Sequence, residues 1–176
     1  MTSPEPRLFG PERFRKLKPL AALPALFAVY ALGRFALRYD LATLPAGQFQ
    51  LAPAILPGAR FICIPVGEET PLGRGSIVEY SATDGPRFSR IVGVAGDVLA
   101  WRPRTKGGFE LWIGETPTGV VTAKEPLSAL PSGPLDSERF VVLDHDPDVG
   151  GDDSRVLGPL TRSAILRKAI FTGFGS

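Results

Sequence analysis

The chain of 176 residues has one cysteine, one histidine and almost no surplus of charge, and each scarcity closes off a class of function. With Cys63 alone, no intrachain disulfide can form. That cysteine lies in the apolar run Arg60-Phe61-Ile62-Cys63-Ile64-Pro65-Val66, which predicts a small buried strand residue rather than a reactive thiol. His145 is the sole histidine, so a metal centre built from Cys and His is excluded. Twenty Lys and Arg against eighteen Asp and Glu leave a net charge of +2, which supplies no basic face for nucleic acid. No internal repeat is present, no cofactor-binding motif stands out, and beyond the N-terminus few stretches are long enough for a helix.

What is abundant is turn chemistry. Gly 20 and Pro 18 predict short strands between many turns, and a hydrophobic content of 44 % is enough for a core. Runs rich in Val, Ile and Phe predict strands at Gln48–Leu51, Arg60–Val66, Ser76–Tyr80, Ser89–Val94 and Val98–Arg102. Further runs follow at Phe109–Ile113, Val120–Ala123, Phe140–Leu143 and Ile165–Phe171. Thr161–Lys168 is long enough for two helical turns. The expected body is therefore one mostly β domain over residues 39–176, a closed or rolled sheet that hides its strand edges.

Ahead of that body, residues 20–37 read LAALPALFAVYALGRFAL, with Arg34 as the single charge. Arg7, Arg13, Arg15, Lys16 and Lys18 precede it. This pattern predicts a basic cytoplasmic segment over 1–18 and a transmembrane anchor over 19–38, in contact with membrane lipid through 20–37. The β domain would then lie on the outer, periplasmic side of the inner membrane. A cleavable signal sequence ending near Ala31-Leu32-Gly33 is the alternative.

Three later segments carry the chemistry, and their order matters more than any one of them. Thr43-Leu44-Pro45-Ala46-Gly47-Gln48-Phe49 follows the helical stretch. Arg74-Gly75-Ser76-Ile77-Val78 then leads to Ser89-Arg90-Ile91-Val92-Gly93-Val94-Ala95-Gly96-Asp97, and Asp152-Asp153-Ser154-Arg155-Val156-Leu157-Gly158-Pro159 comes last. Taken singly, each has a structural account: a turn bracketed by Gly93 and Gly96, a loop ion pair of Asp153 and Arg155, an extended entry at Thr43-Leu44-Pro45. Taken together, they resemble the signal peptidase family, closest to its conjugative-transfer branch. That family runs S-M-P-x-G, R-G-D-x-V, K-R-V-x-G-x-P-G-D and D-S-R-x-x-G-P in the same order.

The resemblance implies a rolled β-sheet fold behind a membrane anchor, and a serine nucleophile whose proton goes to an uncharged lysine. The serine position falls on Thr43 and the lysine position on Ser89. Thr43 keeps a hydroxyl, whereas Ser89 supplies no base, and Leu41 stands where some members place a polar oxyanion helper. Arg90, Asp97, Asp153, Ser154 and Arg155 match the supporting framework. A second register sets Gln50 at the nucleophile position, and it too leaves the lysine missing. Lys106, Lys124 and Lys168 lie in contexts that predict solvated charges, and His145 sits among aspartates in a loop. Asp144, Asp146, Asp148 and Asp152 have the spacing of a calcium loop, but Val149 replaces its glycine and Arg155 its bidentate glutamate, so no metal is expected. These residues support a non-catalytic homologue that binds an exported precursor or pilin-type peptide. An atypical peptidase attacking through Thr43, and a structural subunit of an envelope or conjugation complex, are the alternatives.

Overall fold

The computed structural model describes residues 12–45, 51, 55, 57–144 and 152–172. The chain divides after Arg38 into two units. The first contributes α1 (Glu12–Arg38), along which Leu23, Leu26, Phe27, Leu32 and Phe35 are all exposed. Between Lys18 and Arg34 the helix has fifteen uncharged residues. At about 1.5 Å per residue they span only about 22 Å of a bilayer core near 30 Å. Among the described residues no helix is long and apolar enough to cross a membrane. The expected single-pass anchor over 19–38, and with it the inner-membrane placement, is corrected accordingly.

The second unit is mostly β. Its strands are β1 (Asp40–Thr43), β2 (Arg60–Pro65), β3 (Ile77–Ala82), β4 (Gly85–Gly93), β5 (Val98–Pro103), β6 (Phe109–Ile113) and β7 (Thr116–Ala123). After these come β8 (Gly133–Pro134), β9 (Arg139–Leu143), the single helical turn α2 (Ser154–Leu157), β10 (Leu160–Thr161) and β11 (Ile165–Thr172). They form a seven-stranded sheet in the order β1-β2-β11-β3-β4-β9-β10 and a four-stranded sheet in the order β7-β6-β5-β8. Every pairing is antiparallel.

Strand alternation sorts the apolar residues into three cores. On one face of the larger sheet Phe61 of β2 stacks on Phe88 of β4, ring centroids 4.9 Å apart, with Ala42, Leu44 and Cys63 in the same cluster. The strand order puts β11 and β3 between those rings, so the sheet must curl towards this face for them to touch. The opposite face carries Val78, Tyr80, Ile91, Phe140, Val142, Leu160 and Ile165. The third core joins the two sheets, Val141 and Leu143 of β9 packing with Leu99, Leu111, Ile113 and Val121. Burial of Cys63 beneath the first core pushes its thiol up to about 11, which suits an inert core residue.

Most of the expected strands form, some with extended ends. Residues 48–50 lie outside the described residues, and Leu51 is part of a turn. Thr161–Lys168 is not a helix: only Arg162–Ala164 make a 3₁₀ turn, and Ile165 onwards joins β11 between β2 and β3. Ladder hydrogen bonds on both edges of β11 outweigh two turns of isolated helix. The buried Glu79 of β3 is paired with Arg167 of β11, whose guanidinium also reaches Asp40 of β1 at 3.8 Å.

Two motif glycines differ in what they require. Gly96 has φ +85° with open space around it, whereas Gly158 has φ +73° and a Cβ there would meet the Ala129 carbonyl oxygen at 2.9 Å. Gly96→Ala should therefore cost about 1 kcal/mol of strain alone. Gly158→Ala adds a backbone collision and should cost at least about 2 kcal/mol. Urea unfolding of the two variants checks the order.

Candidate functional site

The last motif folds into a clasp that holds α2 against the larger sheet. Asp153 caps α2, its Oδ1 accepting from the Arg155 amide at 2.8 Å. Its Oδ2 accepts from the Asp144 amide at 3.0 Å, and the Arg155 guanidinium closes on the same carboxylate at 2.9 Å. Ser154 Oγ accepts from the Val142 amide at 3.0 Å. Tyr80 donates its hydroxyl to the Asp152 carbonyl at 3.0 Å, and the Asp152 carboxylate accepts from the Thr83 amide at 3.2 Å. Asp153 and Ser154 are fully buried, yet every side-chain oxygen they carry is used.

The two parts of the middle motif meet in a second pin. The Arg74 guanidinium pairs with the Asp97 carboxylate, Nε to Oδ2 at 3.1 Å, and the same Oδ2 accepts from the Val94 amide at 2.7 Å. Arg74-Gly75-Ser76 is thereby fastened to the Gly96-Asp97 turn. Arg90 lies on β4, half-buried, opposite Ile77 and Leu143 in the ladders.

Beside the clasp lies a polar pair that the sequence does not announce. The ladder between β4 and β9 sets Ile91 against Val142 and Arg90 against Leu143, and one further step sets Ser89 opposite Asp144. Both side chains have zero exposure. Neither the Ser89 hydroxyl nor either Asp144 carboxylate oxygen completes a hydrogen bond. Burial pushes the Asp144 carboxyl up to about 6; the facing Ser89 hydroxyl opposes part of that rise, although the two are not in hydrogen-bond geometry. Asp153 raises it further, and Arg155 and Arg87 oppose it. The Tyr80 hydroxyl is driven well above its ordinary range, first by burial and then by these carboxylates.

The two positions expected to form a catalytic pair are not brought together. Thr43 is exposed at the end of β1, Ser89 is buried in β4, and β2, β11 and β3 lie between them. Ala42 pairs with Phe61 and Thr43 with Arg60, so Thr43 faces away from the Phe61–Phe88 contact. Ser89 follows Phe88 and faces away from it as well. On the outside of a curl, such side chains diverge. Leu41 is 68 % exposed on the same strand as Thr43.

None of the three lysines of the β domain is placed as a base. Lys106 and Lys124 are exposed, and Lys168 directs its Nζ to the Pro71 carbonyl at 2.6 Å. Gln50, His145, Asp146 and Asp148 lie outside the described residues. Among the described residues no cluster of three His, Cys, Asp or Glu is placed to hold a metal. A cleft of about 390 Å³ opens beside Leu99, Leu135, Arg139, Leu157 and Pro159, and neither Thr43 nor Ser89 lines it.

No protein-family model matches the chain, and no curated protein matches it.

Two consequences are measurable. Arg155→Ala strands the buried Asp153 charge and should destabilise the fold by on the order of 3 kcal/mol, read by urea unfolding. Asp144 binds its proton more tightly folded than unfolded, so it makes stability fall as pH rises. The loss runs between the ordinary carboxylate range near 3.8 and about 6, and amounts to about 3 kcal/mol. Asp144→Asn should remove that slope from a stability-against-pH series.

Proposed function

We propose that this chain is a non-catalytic relative of the signal peptidases that holds an extended exported-precursor or pilin-type peptide without cutting it. The observation that carries the proposal is the divergence of Thr43 and Ser89 on strands separated by three others. Proton transfer needs heavy atoms within about 2.6–3.2 Å, or one water between them. At the lysine position, moreover, Ser89 faces a carboxylate instead of contributing an amine.

The framework residues support the family part of the reading. Arg74, Asp97, Asp153, Ser154 and Arg155 all act as pins between elements, a role independent of catalysis. A chain that keeps its pins and lacks its base retains the sheet and loses the chemistry. The curled larger sheet with a smaller sheet beside it suits the rolled architecture that the resemblance implies.

Peptide binding would use β1. It forms one edge of the larger sheet, with Ala42 buried and Asp40, Leu41 and Thr43 exposed. An edge strand offers unpaired backbone groups to an added strand, and main-chain hydrogen bonds then supply most of the affinity.

The test incubates the protein with a fluorescent precursor or pilin-type peptide, following anisotropy for binding and mass spectrometry for cleavage. Binding without cleavage is expected, unchanged by Thr43→Ala and weakened at least about tenfold when alternate peptide amides are N-methylated. Cleavage by the unaltered protein, lost in Thr43→Ala, would restore an active peptidase. Absence of binding would favour a structural subunit.

A further inference from the structure

The pair formed by Ser89 and Asp144 is a buried polar cluster that the proposed peptide-holding role does not use, and its three side-chain oxygens are without hydrogen-bond partners. Its surroundings are unusual in a specific way: among the described residues, each cation that acts on Asp144 is already paired with another carboxylate. From β4, Arg87 is paired with Asp84, Nη2 to Oδ2 at 2.6 Å. From α2, Arg155 is paired with Asp153, the nearest like charge. From β3, Tyr80 donates its hydroxyl to the Asp152 carbonyl. Only Ser89 is left, and a hydroxyl can donate to a carboxylate or accept from a carboxylic acid without supplying any charge. Among the described residues an ionised Asp144 therefore has no counter-ion of its own in the interior, and a neutral one does not need one.

The same residue anchors the clasp. The Asp144 amide donates to Asp153 Oδ2, and two residues earlier the Val142 amide donates to Ser154 Oγ. These bonds hold α2 on β9. Asp144 has zero exposure with these bonds in place, and a strand end that swings out to hydrate the carboxylate gives them up.

We infer that Asp144 is a proton-operated latch: its neutral carboxyl keeps α2 clasped to β9, and ionisation favours a locally opened state in which the carboxylate reaches water. This device is independent of peptide binding. Opening breaks the Asp144–Asp153 and Val142–Ser154 bonds and leaves the core between the two sheets intact.

The carboxyl is held at about 6 in the clasped state against 3.8 when hydrated. The difference sets the largest change in the opening equilibrium, on the order of 100-fold between acid and neutral pH. Amide hydrogen exchange by NMR on the whole chain, from pH 4.5 to 7.5, reads it. Results are expressed as protection factors so that the intrinsic base catalysis of exchange divides out. Protection of the Val142 and Asp144 amides should fall by up to that factor as pH rises, while the Leu111 and Ile113 amides of the smaller sheet stay protected. In Asp144→Asn the pH dependence at Val142 should vanish. Protection at Val142 that is independent of pH in the unaltered protein would overturn the latch. So would a loss shared equally by Leu111 and Ile113.

Discussion

The Asp153 carboxylate, buried and hydrogen-bonded on both oxygens, is the constraint on which the rest of the β domain's organisation depends. It caps α2, takes the Arg155 charge and receives the amide at the end of β9. Without it, α2 would lose its cap and its tie to the end of β9. β11 in turn lies between β2 and β3, and its Arg167 bridges Glu79 and Asp40 across the first core. The pin between Arg74 and Asp97 does the corresponding work where the chain passes from the larger to the smaller sheet. Removing the Asp153 carboxylate would leave the largely buried Arg155 unpaired, a costlier loss than removing Asp97, whose partner Arg74 is 44 % exposed.

Much of this was legible in the sequence, and the reasons are local. Phe61, Ile62, Cys63 and Ile64 can only be strand, and the Val, Ile and Phe runs of β3, β4, β9 and β11 are bounded by glycine, proline or polar turns. The pairing of Asp153 with Arg155 follows from residues two apart, so a short-range reading reaches it. β1 was missed as a strand because Asp40-Leu41-Ala42-Thr43 is short and has only one buried side chain. The Arg162–Ala164 turn was overread as a helix because propensity ignores the two strands that claim Ile165 onwards. The transmembrane expectation failed on length, since Arg34 and Lys18 stand too close together.

The juxtaposition of Ser89 and Asp144 was illegible for a different reason. Each residue reads as ordinary by itself, one a small polar residue in a strand and the other the first of a run of aspartates. Only the register between β4 and β9 makes them neighbours, and register is a tertiary property. The same register changes the meaning of the missing lysine. A lysine at position 89 would lie in the interior beside Asp144, on the side of the sheet away from the Phe61–Phe88 contact, and not beside Thr43. The serine at position 89 and the strand geometry therefore both support the proposed non-catalytic reading.

The central proposal is that strand geometry, and not only the residue at position 89, would keep this chain from cutting peptides. Restoring the lysine tests it most directly. Ser89→Lys, verified as folded by circular dichroism, would be incubated with precursor peptide at pH 8 and the products followed by mass spectrometry. Strand order and facing predict no cleavage, because the new amine meets Asp144 and cannot reach the Thr43 hydroxyl. Cleavage that appears in Ser89→Lys and disappears on adding Thr43→Ala would contradict the account.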